Sequence, residues 1–385
     1  VIGAYRNDHG TIASEDHGAA YVFERNTQGF WQQKVRLTAS DALAKDLFGV
    51  SVAVYEESTS QNVTVVVGAY NADLPLNAND LCDPSSCVAN AGAAYIFVKP
   101  ASGWPANGEL SETAKLIPAT IQAGGLFGRS VAVYADSVAV GAYGINRDLQ
   151  NTATGALYVF NKPVTGWSGE LSPNAALTVG NAVSNDLLGV SVSMGPDVII
   201  GGAHTADHLD AAGALAIADA GAAYLFVKTG GWNSTVIPTT KLIASDPVAS
   251  DNFGVSVALH GDAVIVGASA RDINAVTDAG AAYVFQKPMG GWQSAIAGET
   301  RTLVQVAKLV AKIPEQAAAF GRAVHLLGNT AIVGARKSDV IIAKQAITDA
   351  GAAYIFSQPA AGWQAANPQN PIILFASAAK PISNF

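Results

Sequence analysis

The chain has 385 residues, half of them hydrophobic and 14% charged, which gives ample material for a core and excludes a disordered chain. Its formal net charge is −8 with no cluster of Lys or Arg, which excludes the electrostatic footprint of a nucleic-acid partner. No apolar run approaches the roughly 18–20 residues of a membrane-spanning helix, so no membrane span is expected.

Val1-Ile2-Gly3-Ala4 opens the chain as the end of an apolar strand, and Gly-Ala-Ala-Tyr-Val-Phe follows at Gly18–Phe23. The same phrase, with small variations, returns at Gly92–Phe97, Gly155–Phe160, Gly221–Phe226, Gly280–Phe285 and Gly351–Phe356. Each copy is followed by one of the six tryptophans: Trp31, Trp104, Trp167, Trp232, Trp292 and Trp363. Phe-Gly recurs at Phe48, Phe127, Phe253 and Phe320, with Leu188-Gly189 as a variant, and Gly-Ala recurs at Gly3, Gly68, Gly141, Gly202, Gly267 and Gly334. Linked motifs returning in one order define a repeat array, with units of about 1–46, 47–125, 126–186, 187–251, 252–319 and 320–385 in a single domain spanning 1–385.

The unit starting at Phe253 shows the expected strands. Phe253–Leu259 and Ala263–Ala268 flank the turn His260-Gly261-Asp262 and read as a hairpin. A polar loop, Ser269–Asp278, leads to Gly280–Phe285, and a fourth strand is expected within Thr302–Leu309 after Trp292. The runs have strand length, β-branched or aromatic content and no helical period. Four antiparallel strands, apolar on both faces, imply a sheet sandwiched between two neighbours. The expected fold is all-β: a β-propeller of about six four-stranded blades, or seven if a segment before Val1 supplies more. Glycines at the corners imply close backbone approach, and the Phe, Tyr and Trp are expected to fill the space between blades.

The first unit lacks its Phe-Gly strand, and Phe385 falls where a new one would open. The expectation is an excised piece of a longer protein, with the missing strand closing the ring. Donation of a strand by a partner chain is the alternative.

Carboxylates recur in the loops. Asp8, Asp73, Asp207, Asp272 and Asp339 each follow a Gly-Ala, with Asp148 displaced in the remaining unit. A second Asp precedes the third strand at Asp16, Asp219, Asp278 and Asp349, and Asp41, Asp46, Asp186, Asp246 and Asp251 lie in the loops entering the next unit. These place a rim of acids on one face. Hard cations such as Ca2+ take oxygen ligands from such loops, and Asp equally caps turns by accepting backbone N–H groups. His204 and His208 form His-Thr-Ala-Asp-His, read as a surface loop rather than a zinc site. Cys82 and Cys87 flank Asp-Pro-Ser-Ser, and the reading is a local disulfide in a secreted protein, with two free thiols as the alternative. No nucleophile elbow, phosphate loop or paired acid and base can be identified, so the chain is read as no enzyme.

Phe-Gly-x-Ser-Val-Ala, Val-Ile-Val-Gly-Ala, Gly-Ala-Ala-Tyr-Val-Phe and Lys-Leu-x-Ala-Ser-Asp, clearest at Phe48–Ala69, Phe253–Phe285 and Lys241–Asp246, resemble the FG-GAP repeat family in its bacterial form. The resemblance covers essentially the whole chain. It implies the β-propeller seen in integrin α subunits and some fungal lectins, and an extracellular or cell-surface module for recognition or adhesion. The implied partner is a protein, a glycan or a cation. A subunit of a surface layer or filament, built by self-assembly, is the alternative. The calcium loop of integrin-type units does not transfer to the short hairpins at Tyr134–Ser137, Met194–Asp197, His260–Asp262 and Gly328–Thr330.

Overall fold

The computed structural model describes the chain except residues 9–15, 60–61, 76–86, 106–107, 147–151, 210–214, 234–235, 295–298, 343–344, 364–370 and 377–385. Among the described residues every regular element is a β-strand, and no helix is long and apolar enough to cross a membrane. The strands form six sheets of four or five strands and three two-stranded ribbons.

Where the repeats point to one domain over 1–385, the contacts gather the chain into two compact units: Val1–Gly180 with Lys228–Val236, and Asn181–Val227 with Ile237–Phe385. The first unit holds three sheets. The first sheet runs Ile2–Ala4, Ala19–Arg25, Trp31–Thr38, Gly108–Ser111. The second runs Ser51–Glu56, Val63–Ala69, Ala93–Val98, Ala114–Leu116, Gly169–Leu171, and the third Phe127–Tyr134, Ser137–Ala142, Ala156–Asn161, Ala175–Leu177. The second unit holds the fourth sheet, Ser191–Met194, Val198–Ala203, Ala222–Val227, Thr240–Ile243, Arg301–Val304. Its fifth sheet is Phe253–His260, Ala263–Ala268, Ala281–Gln286, Ala307–Leu309, and its sixth Phe320–Leu327, Thr330–Ala335, Ala352–Ser357, Ile372–Leu374.

Two sequence expectations need correction here, and the first is that every sheet is four-stranded and antiparallel. The fourth strand expected within Thr302–Leu309 is Ala307–Leu309, antiparallel in the fifth sheet, but the residues before it, Arg301–Val304, pair in parallel with Thr240–Ile243 of the fourth. Gly108–Ser111 and Gly169–Leu171 behave in the same way, each lying parallel on the outer strand of the preceding sheet. The first, second and fourth sheets are therefore not purely antiparallel, whereas the third, fifth and sixth are four-stranded and antiparallel as expected. The physical reason is edge protection: the chain passing outward pairs with backbone groups that would otherwise stand bare. The second correction concerns tryptophan. Trp104, Trp167, Trp232, Trp292 and Trp363 are buried, but Trp31 is 66% exposed.

Within each compact unit the junctions at Phe48, Phe127, Phe253 and Phe320 repeat one packing. Phe48 contacts Tyr95 and Phe97 of its own sheet at 5.5 and 6.0 Å between ring centroids, and Phe253 contacts Tyr283 and Phe285 at the same separations. These rings face Val22, Val35 and Leu37 of the first sheet, or Ile200, Leu225 and Leu242 of the fourth. The glycine after each Phe lies over the Gly-Ala of the preceding sheet: a methyl built on Gly68 would overlap the carbonyl oxygen of Gly128, and one on Gly267 that of Gly321. Ser51, Ser191 and Ser256 donate to the same carbonyls, of Gly128, Gly254 and Gly321, at 2.7–2.8 Å. The motifs thus recur because each of these four junctions needs the same wedge and the same groove.

Candidate functional site

The loops that end at Gly18, Gly92, Gly221 and Gly280 lie beside the loops that lead into the next sheet, those glycines bridging to Phe48, Phe127, Phe253 and Phe320. Five carboxylates singled out by sequence close the first of these loops upon itself. Asp8 accepts the Asp16 N–H at 2.9 Å, Asp73 the Asn90 N–H at 2.8 Å, and Asp207, Asp272 and Asp339 the N–H of Asp219, Asp278 and Asp349, each at 2.9 Å. Each donor residue holds a positive φ of 49–51°, a conformation that Asn and Asp tolerate best. In the third sheet Asn146 does this work, accepting the Ala153 N–H at 2.8 Å, while Asp148 lies outside the described residues. Among the described residues no three His, Cys, Asp or Glu side chains gather as a metal ion would need.

The loops leading into the next sheet carry a second, more buried set. Asp46, Asp186 and Asp251 accept the N–H of Leu43, Val183 and Val248 at 2.8–2.9 Å, capping a tight turn just before the Phe-Gly or Leu-Gly strand. All three are buried. Burial pushes the Asp46 carboxyl up to about 7, against the pull of the Leu43 N–H and with help from the charges of Asp41 and Asp73. Burial likewise pushes Asp186 up to about 6.

Beside these caps sit charged clusters that sequence reasoning missed. In the fifth sheet, Asp246 accepts from the Tyr283 hydroxyl at 3.2 Å, the Lys308 ammonium at 2.7 Å and Arg271 Nη2 at 3.1 Å. Arg271 Nη1 reaches Asp251 at 3.0 Å, so one guanidinium bridges two carboxylates. Burial works to raise Asp246, but the Lys308 hydrogen bond and charge, joined by Arg271, hold it below the usual carboxylate range. At the second sheet, Asp41 accepts from the Tyr95 hydroxyl at 2.9 Å and pairs with Lys115. Lys115, Lys241 and Lys308 each lie over the tyrosine opposite them in the ladder, Tyr95, Tyr224 and Tyr283, at 5.9, 5.8 and 5.5 Å. The Lys-Leu that recurs after Trp104, Trp232 and Trp292 was the signal that could have located them.

The remaining sequence candidates lie apart from these clusters. His208 is buried in the ribbon His208–Leu209 with Leu215–Ile217, its Nε2 at 2.8 Å from the Gly221 carbonyl, and burial lowers its pKa. The loop is therefore not a plain surface segment at that residue. Cys87 begins the short strand Cys87–Val88, while Cys82, its expected partner, lies outside the described residues.

No curated protein matches the chain. A family profile described as FG-GAP repeat matches residues 31–97, 110–160, 238–285 and 303–356, more than half the sequence. With wedge, groove and paired loops recurring through those same segments, the chain belongs to the FG-GAP repeat family.

Proposed function

We propose that the chain is a non-catalytic, extracellular recognition or adhesion module, a propeller of about six blades that meets its partner through the face bearing the paired loops. The observation that carries this reading is the family match across more than half the chain, since such repeats occur in adhesion-type proteins. The paired loops support it: they carry Asp side chains, with Lys115 and Lys308 at the neighbouring strands, on a rigid sheet framework, where binding residues are best held. The aspartates after Gly-Ala act in this reading as loop closures, and calcium at that rim is the variant of it that a thermal shift on adding calcium or EDTA decides. A Cys82–Cys87 disulfide belongs to the same extracellular reading. The test is binding of the intact chain to arrays of immobilised glycans and of matrix and surface proteins. Binding that falls with Lys115→Ala or Lys308→Ala supports the loop face, and binding to neither array refutes the recognition role.

A second reading, a subunit of a surface layer or filament, draws on the exposed apolar side chains of the first and sixth sheets. Ile2, Phe30 and Trp31 are 59%, 68% and 66% exposed on the first, and Ile372–Phe375 and Ile332 are exposed on or beside the sixth.

A further inference from the structure

The fourth sheet keeps the two donors of the charged cluster and lacks its acceptor. Lys241 lies opposite Tyr224 in the ladder, as Lys115 lies opposite Tyr95 and Lys308 opposite Tyr283. Relative to Leu188, Asn181 stands where Asp41 stands relative to Phe48 and Asp246 relative to Phe253. The third and sixth sheets have lost acid and base together. Thr120 and Ile313 stand at the place of the acid, and Ala176 and Ile373 lie opposite Tyr158 and Tyr354. From the second sheet to the sixth, the fourth alone retains the lysine without the carboxylate.

The hydroxyls of Tyr95 and Tyr283 donate to Asp41 and Asp246 at 2.9 and 3.2 Å, and Lys115 and Lys308 pair with the same two carboxylates. Among the described residues the Tyr224 hydroxyl and the Lys241 ammonium have no hydrogen-bond acceptor, and Lys241 only lies over the Tyr224 ring at 5.8 Å. Burial lowers the Lys241 pKa, against the pull of Asp186 and Asp207. Asn181 is exposed and Lys241 half-buried, which leaves a ligand a way in. The nearby Asp186 and Asp207 do not forbid an anion there. Around Tyr95 the corresponding residues are Asp46 and Asp73, and Asp41 sits among them with Lys115 as its cation.

We infer that Tyr224 and Lys241 form a binding site for one carboxylate group of a ligand, which takes the place that Asp41 and Asp246 take in their own sheets. The donor set suits it: a hydroxyl and an ammonium donate, and a carboxylate only accepts, with two oxygens to share between them. A single acid fits rather than an acidic run, because a chain of net charge −8 repels further negative charge. An acidic side chain on a polypeptide and a free small acid share this chemistry. The inference rests on the recognition reading and gives it a ligand chemistry and a place.

The experiment is an NMR titration of the intact chain at constant ionic strength, reading the Lys241 side-chain signal, which Lys241→Met identifies by its loss. The probes are acetate against acetamide, and acetyl-Gly-Glu-Gly-amide against acetyl-Gly-Gln-Gly-amide. Each acid is expected to shift the signal and to bind about tenfold or more tightly than its amide. A peptide that binds more tightly than acetate assigns the carboxylate to a polypeptide partner, and equal affinities assign it to a small acid. Asn181→Asp supplies the carboxylate from the chain itself and should abolish both responses. If circular dichroism shows that variant unfolded, Lys241→Met decides, since it should abolish saturation transfer to the Glu peptide. No response to either acid, acids and amides binding alike, or binding unchanged in a folded variant overturns the site. If no acid binds while the chain still binds its array target, this inference falls and the recognition reading stands.

Discussion

At Asp46 one carboxyl cap is built without the arginine that Asp251 has, the charge of Lys115 only weakly offsetting its burial. Asp251 has Arg271 across the turn, but Ala72 stands at the corresponding place beside Asp46, and Ala206 beside Asp186. With its pKa raised to about 7 by burial, Asp46 holds its proton more tightly folded than unfolded. Its contribution is therefore fully present below the unfolded value of about 3.9 and is lost as pH rises through about 7. Asp46→Asn keeps the acceptor for the Leu43 N–H and removes the charge. It is expected to raise stability above pH 7 by on the order of 3 kcal/mol and to leave it unchanged near pH 4, as read by urea denaturation at both pH values. Arg271→Ala should act in the opposite direction. It strips the buried Asp251 of its cation, leaves Asp246 with Lys308 alone, and should cost about 3–5 kcal/mol in the same measurement at pH 7. Arg271→Lys should recover only part of this, because an ammonium lacks the fork that spans Asp246 and Asp251.

Among the strands, the Gly-Ala position shows how much of the fold was legible. Gly267 and Gly334 are the same letter in the same motif, but a methyl on Gly267 would overlap Gly321, whereas one on Gly334 would meet nothing closer than the Ala323 methyl at 3.5 Å. Gly267→Ala should therefore cost about 3 kcal/mol, and Gly334→Ala no more than about 0.5 kcal/mol, by thermal and chemical denaturation side by side. The serine that elsewhere bonds the next sheet's glycine carbonyl is replaced by Ala323 in this sheet, in keeping with that open surroundings. The repeat phrases foretold the strands, the hairpins and the close approach of glycines, because those are set by local turn chemistry and by apolar runs. They did not foretell the split of Thr302–Leu309, since both halves look like strand and only the partner differs. Nor did they separate Trp31 from the other tryptophans, whose burial depends on which sheet lies alongside. For the site, the acids were found and their work was left open; their partners Lys115, Arg271 and Lys308 come from other strands and loops.

Across the whole molecule, the apolar side chains of the first and sixth sheets set the solution behaviour. In the fifth sheet, strand Ala263–Ala268 is buried throughout, whereas Thr330–Ala335 of the sixth alternates between buried and exposed residues, with Ile332 at 38%. Exposed faces of this kind favour association. Sedimentation velocity over a concentration series is expected to show a rising mean mass that Ile332→Asp suppresses. A mass that stays monomeric at every concentration would remove the filament reading and leave the recognition reading untouched.

The parallel strands Gly108–Ser111, Gly169–Leu171 and Arg301–Val304, each lent to a preceding sheet, have one last implication. The period of the motifs and the smallest autonomous folding piece are different lengths. A lone repeat, excised and expressed, would carry a segment such as Gly108–Ser111 with no host for it, while its own outer edge went unclothed. Genetic duplication can copy such a phrase, but the copy becomes structure only in the company of another.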